Sequence, residues 1–262
     1  MTAPSLSNLD FDWWANNGPT AGYLLSFALA AADELRKAFV EVPLSVSMQI
    51  LGLPRVGAFA YEPIRLISRP GTGVTSVDFV QQRLFALANV ISGAPDGPSL
   101  PSDAGPPAAM PAGAYRPIEM PSPSVPVTQH FEYRPTAEVD GSGPRDGWDV
   151  VWLTPLDHKL EGRRLVASMV DCWYPPSHMQ AVRLHLREGE PLRQPSPTIL
   201  TAATMTFTAA DRDYDDISQA LLASQVTAST GGWIFERHEI WSEAGVLLAV
   251  ADLVREISDR ES

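Results

Sequence analysis

The sequence predicts an α+β protein in which a helix-plus-sheet unit occurs twice. Three observations carry this. The run Leu24–Leu35 is apolar on nearly every side, which marks a buried helix. Period-two segments rich in Val, Ile and Phe follow it, as half-buried antiparallel strands require. A proline-rich stretch then separates this unit from a second helical segment followed by further strands. The expected boundaries are 1–95 for the first unit, 96–127 for the linker and 128–262 for the second unit.

The first helix is introduced by Asn16-Asn17-Gly18-Pro19-Thr20-Ala21-Gly22-Tyr23. Pro19 suits a first helical position, where its missing N–H costs nothing. Gly18 and Gly22 permit close approach of backbone or ligand. The first-turn N–H groups at 18–23 are therefore expected to face a ligand. Behind the helix, Val46, Met48 and Ile50 alternate with Ser45, Ser47 and Gln49 in a half-buried strand. Phe59–Ser68 is a second strand, and Pro63 within it marks an edge or a bulge. Val74–Val80 and Leu84–Ile91 form a hairpin.

About ten of the chain's 24 prolines fall between Gly93 and Val127, a composition that supports neither helix nor sheet. Tyr115, Ile118 and Met120 within it can dock on a folded unit. Beyond it, Gln129–Arg134 and Trp148–Leu153 read as strands, and Leu156–Cys172 has helical spacing that stops before Pro175-Pro176. Gln180–Pro197 is a charged connection. Ile199–Thr208, Leu221–Ser229, Gly232–Trp241 and Gly245–Ile257 are strands, the last two joined by a hairpin loop at Ser242–Gly245, and Asp211–Asp216 is an acidic turn.

Bulk properties narrow the chemistry. With 262 residues and 45% hydrophobic content, a sizeable core is available. A formal charge of -12 argues against nucleic acid and against an anionic membrane surface as partners. Cys172 is the sole cysteine, which excludes an intrachain disulfide. No leader-like segment is seen at the start, and the longest apolar run is too short to span a bilayer, so a cytoplasmic location is expected. No cofactor or metal site is expected; the acidic turn lacks the ordered spacing of a calcium loop.

At the level of motifs the chain resembles the double hotdog proteins of the acyl-CoA thioesterase II-like and thioesterase-like families. Trp13-Trp14-Ala15-Asn16-Asn17-Gly18-Pro19-Thr20-Ala21-Gly22-Tyr23-Leu24 is similar to the family's Trp followed by Gly-Pro-x-Gly-Gly-Tyr, with Ala21 in place of the first glycine of the pair. Leu165–Pro176 resembles a second hotdog helix ending in Asp and Pro-Pro. Glu239–Ala249 resembles the final hairpin. The resemblance implies two hotdog units with sheets joined side by side and helices on the inner faces. It also implies hydrolysis of a medium- or long-chain acyl thioester, carried by CoA or a carrier protein. Water would be activated by an Asp, a Thr or Ser, and a Gln. Thr227 falls on the hydroxyl position. The Asp position, near 202–205, holds Ala202, Ala203 and Thr204. The Gln position is Leu253, with Asp252 one place off and so on the other face of a regular strand.

Thr227 and Asp252 are thus the candidate catalytic residues. Buried among apolar neighbours, Asp252 would have the raised pKa of a base. Asn17, Gly18, Gly22 and Thr204 are candidate substrate contacts. Asp171 is expected to bond backbone or a ring partner. In Glu236-Arg237-His238-Glu239, Glu236 and His238 share one face of a strand and Arg237 and Glu239 the other, which reads as a solvated face. A His–carboxylate pair facing the helix start would instead point to dehydration. A non-hydrolytic hotdog binding an acyl or polyketide-like ligand is a further possibility, and fold alone does not choose among them. The seven tryptophans could line a broad aromatic pocket or pack the core. An exposed sheet edge or back face favours a homo-oligomer.

Overall fold

The computed structural model describes residues 5–15, 18–36, 41–69, 71–94, 105–107, 109, 111–118, 125–136, 147–157, 159–173 and 198–257. In chain order, β1 (Ser5–Leu9), β2 (Trp14–Ala15) and β3 (Gly18–Pro19) lead into α1 (Ala21–Arg36). Then come β4 (Val42–Ile50), β5 (Gly57–Arg69), β6 (Thr72–Val80) and β7 (Leu84–Gly93). The second half holds β8 (Phe131–Pro135), β9 (Asp149–Pro155), α2 (Gly162–Ser168), β10 (Thr198–Phe207), β11 (Ala220–Thr230), β12 (Trp233–Ser242) and β13 (Leu247–Ile257).

All the long strands join one antiparallel sheet of order β1-β5-β6-β7-β4-β10-β13-β12-β11-β9-β8. The two halves meet where β4 pairs with β10, Met48 opposite Ala203 and Val46 opposite Met205. The expected side-by-side joining is therefore a continuous hydrogen-bonded ladder. Alternation decides the faces. Val46, Met48, Val77, Phe79, Ala203, Met205, Ala251 and Leu253 are buried on the face that carries both helices, while Thr204, Thr206 and Asp252 point the other way and are exposed.

The helices pack on each other in the middle of that core. Gly22 N–H donates to the Val170 carbonyl at 3.2 Å. A Cβ on Gly22 would stand 2.5 Å from that oxygen and closer still to the carbonyl of Ala167. Gly22 thus serves helix–helix contact. α2 is shorter than the spacing of Leu156–Cys172 predicted: its first residue, Gly162, has φ +56, and Asp171, three residues beyond its end, has φ +66.

Pro63 lies where an edge permits it. β1 covers β5 only from Gly57 to Tyr61, and the register with β6 shifts between Arg65 and Ile67. Part of the proline-rich stretch packs on the far side of the sheet. Ala109, Ala112 and Tyr115 lie against Trp148, Trp152 and Trp241, which form a separate cluster with Val150, Leu221 and Ala223. Ile118 bridges to Tyr133, while Met120 lies outside the described residues. The charged connection at 180–197 lies outside them as well. No described helix is long and apolar enough to cross a membrane.

Candidate functional site

Four charged or titratable side chains converge on the inner face of the second half. On β12, Glu236 and His238 both point inward and are 1% and 3% exposed. On β13, Arg255 points the same way at 5%. Its Nε donates to Glu236 Oε2 at 2.7 Å, and its Nη2 donates to Asp171 Oδ1. Asp171 follows α2, and its other oxygen accepts the N–H of Ala21, the first residue of α1, at 3.2 Å. His238 Nε2 lies 3.8 Å from Glu236 Oε2, outside hydrogen-bond range, and neither ring nitrogen has a hydrogen-bond partner.

The expected solvated face of Glu236 and His238 is thus overturned. Strand periodicity placed them together correctly, but the side they share is the core side. A non-glycine residue at positive φ is uncommon, and the strain is tolerated where surrounding contacts fix it. At Asp171 those contacts are the Ala21 N–H and the Arg255 guanidinium.

Charge pairing sets the electrostatics. Burial raises the Glu236 pKa, but Arg255 and His238 outweigh it and hold the carboxyl at about 2. Burial likewise works against the Arg255 cation, and Asp171 and Glu236 more than reverse it. The cluster therefore holds fixed charges, and the imidazole of His238 is its unbonded acid–base group.

The residues singled out in the sequence fall elsewhere. Thr227 is exposed in the register shift between Val226 and Ala228, and its hydroxyl donates to the Phe235 carbonyl at 3.1 Å. Asp252 is exposed on the outer face, opposite Thr204 on one side and Arg237 on the other, so the burial that would make it a base is absent. Thr204 shares that outer face. Gly18 lies against Leu53 before α1, and Asn17 lies outside the described residues.

The first-turn N–H groups of α1 do not face a ligand. Ala21 donates to Asp171, Gly22 to Val170 and Tyr23 to the Thr20 hydroxyl. Ala203, within the window expected for the Asp, and Leu253, at the expected Gln position, share one inner-face row, and the carboxylate of that row is Glu236, directly opposite Leu253.

A second histidine is buried near the start of α1. His130 Nδ1 is 2.7 Å from Asp157 Oδ2, and its ring stacks on Trp13 at 3.9 Å, with Tyr23 on the other neighbouring contact of Trp13 at 5.0 Å. The tryptophans do not share a pocket. Trp148, Trp152 and Trp241 lie in the outer cluster, Trp173 stacks on Tyr133, and Trp233 is exposed. Among the described residues, no group of three or more His, Cys, Asp or Glu is placed to hold a metal ion.

Solved structures decide the architecture. A hotdog-fold protein of unknown function from Alicyclobacillus acidocaldarius superposes with a TM-score of 0.84 at 18% identity, covering 98% of this chain and 96% of that one. The chain has the double hotdog fold. Acyl-CoA thioesterase II TesB2 from Mycobacterium marinum matches with a TM-score of 0.69 at 16% identity, covering 89% of each chain. The dehydratase domain of RzxB from Pseudomonas fluorescens matches at 0.56 with 10% identity, covering 97% of this chain and 94% of that one. No family model and no curated protein matches the sequence.

Proposed function

We propose that this double hotdog protein hydrolyses an acyl thioester of medium or long chain, presented by CoA or a carrier protein, and that His238 moves the proton. The observation that carries the reading is the His238 ring itself. It is buried beside an anionic Glu236, with both nitrogens unbonded, on the sheet face that packs against the helices. The similarity to thioesterases of the same fold supports it.

The chemistry follows from the groups present. His238 accepts a proton from water as the oxygen attacks the thioester carbonyl, and Glu236 stabilises the resulting imidazolium. Arg255, locked between Asp171 and Glu236, fixes the Glu236 carboxylate beside His238. The tetrahedral intermediate then collapses, and the leaving thiolate takes the proton from the imidazolium. Asp171 is a positioning residue: it ties Arg255 to the start of α1.

A second reading has its own support. A buried His–carboxylate pair linked through Arg255 and Asp171 to the start of α1 also suits removal of water from a 3-hydroxyacyl thioester, and a dehydratase domain shares the fold. Thiol release separates the two. Acyl-CoAs from butyryl to palmitoyl and their 3-hydroxyacyl counterparts are assayed for free thiol and for enoyl absorbance with wild type and with His238→Ala. Release that falls by about a hundredfold or more in the variant supports hydrolysis through His238. Enoyl absorbance without thiol release supports dehydration, and neither signal at any chain length leaves the binding reading.

A further inference from the structure

The inner-face row that contains His238 reads Asp149, Ser224, His238, Ala251, Met205, Val46 and Val90 across seven strands. All seven are buried. The row is apolar through its length except at one end, where three polar residues stand side by side. The Ser224 hydroxyl is 1% exposed as a residue and has no hydrogen-bond partner, and the same holds for both nitrogens of His238 beside it.

Buried polar groups are nearly always bonded, so neighbouring orphans call for a partner that the chain's own side chains do not supply. We infer that Ser224 recognises a hydroxyl on the acyl chain, so that the substrate is a 3-hydroxyacyl thioester. The inference rests on the acyl-thioester reading above.

Position and chemistry select this group. Directly opposed side chains on antiparallel strands have Cβ atoms about 5 Å apart. A thioester carbonyl held at His238 therefore brings C3 of the acyl chain, two bonds further on, beside Ser224. A serine hydroxyl both donates and accepts, so a hydroxyl on C3 can pair with Ser224. An unsubstituted methylene leaves the Ser224 hydroxyl unbonded. Sites that bond a substrate hydroxyl reject the analogue lacking it strongly, because their own buried group is then left unpaired.

The test compares 3-hydroxyoctanoyl-CoA with octanoyl-CoA in wild type, Ser224→Ala and Ser224→Thr, following thiol release and enoyl absorbance. Wild type is expected to prefer the hydroxylated substrate by at least about tenfold in kcat/KM. That ratio should approach one in Ser224→Ala and be partly kept in Ser224→Thr. Thermal melts of each variant establish folding. A wild-type preference under twofold, or a preference kept in Ser224→Ala, overturns the inference and leaves hydrolysis standing. If wild type turns over neither substrate, calorimetric binding of the same two CoA esters decides. A preference lost in Ser224→Ala supports hydroxyl recognition, and equal affinity overturns it.

Discussion

The backbone N–H of Ala21 donates to Asp171 Oδ2 at 3.2 Å, across 150 residues of sequence. One contact thus joins the first residue of α1 to the chain end of α2, and through Arg255 it reaches Glu236 on β12. The helix pair that organises the core and the charged cluster on its wall are one construction.

Replacing Gly22 tests the helix–helix contact. An alanine Cβ would meet backbone carbonyls at Ala167 and Val170, which cannot swing aside. Gly22→Ala should cost about 2–3 kcal/mol, a lowering of the melting temperature by roughly 5–10 °C in a chain of this size. A thermal melt checks it.

Glu236→Gln should lower stability at neutral pH by about 2–4 kcal/mol, because Arg255 loses one of two buried anionic partners. The folded pKa, about 2, lies below the ordinary value of 4.5, so Glu236 contributes stability above pH 4.5 and loses it as the pH falls towards 2. The gap between wild type and variant should therefore narrow over that window in denaturant titrations at several pH values.

Thr227→Ala and Asp252→Asn should leave thiol release within about twofold of wild type, since both side chains are exposed and away from the cluster. A steady-state comparison of the two purified variants checks this. A large loss in either would return the site to the outer face.

Ala112→Asp should loosen the segment packed on Trp148, Trp152 and Trp241. It places a charge in a buried apolar contact and should cost about 1–3 kcal/mol. Tryptophan emission should shift to longer wavelength as the cluster meets water.

Most of the strands were legible because one face of the sheet is core and the other is not, so Val46, Met48 and Ile50 announce β4 by alternation alone. Pro63 was legible for a related reason: a missing donor is tolerated where β5 has no neighbour. The cluster was not legible. Glu236 and His238 in alternation look like a wet face until Arg255 and Asp171 arrive beside them, and those come from 19 and 65 residues away along the chain. Ala203, within the window expected for the Asp, and Leu253, at the expected Gln position, stand in the inner-face row that also holds Glu236. Only cross-strand register shows that the carboxylate of that row sits on the next strand, at Glu236. Asp252 stands one residue from the expected Gln position and on the opposite face, as the alternation of a regular strand anticipates.

The most direct measurement is single-turnover thiol release from an acyl-CoA by wild type and by a folded Asp171→Asn variant, each followed across pH. Wild type should release thiol, and Asp171→Asn, whose amide no longer anchors Arg255 by charge, should lose about tenfold or more. Release at the wild-type rate in Asp171→Asn would contradict the claim that this buried cluster is where the chemistry takes place.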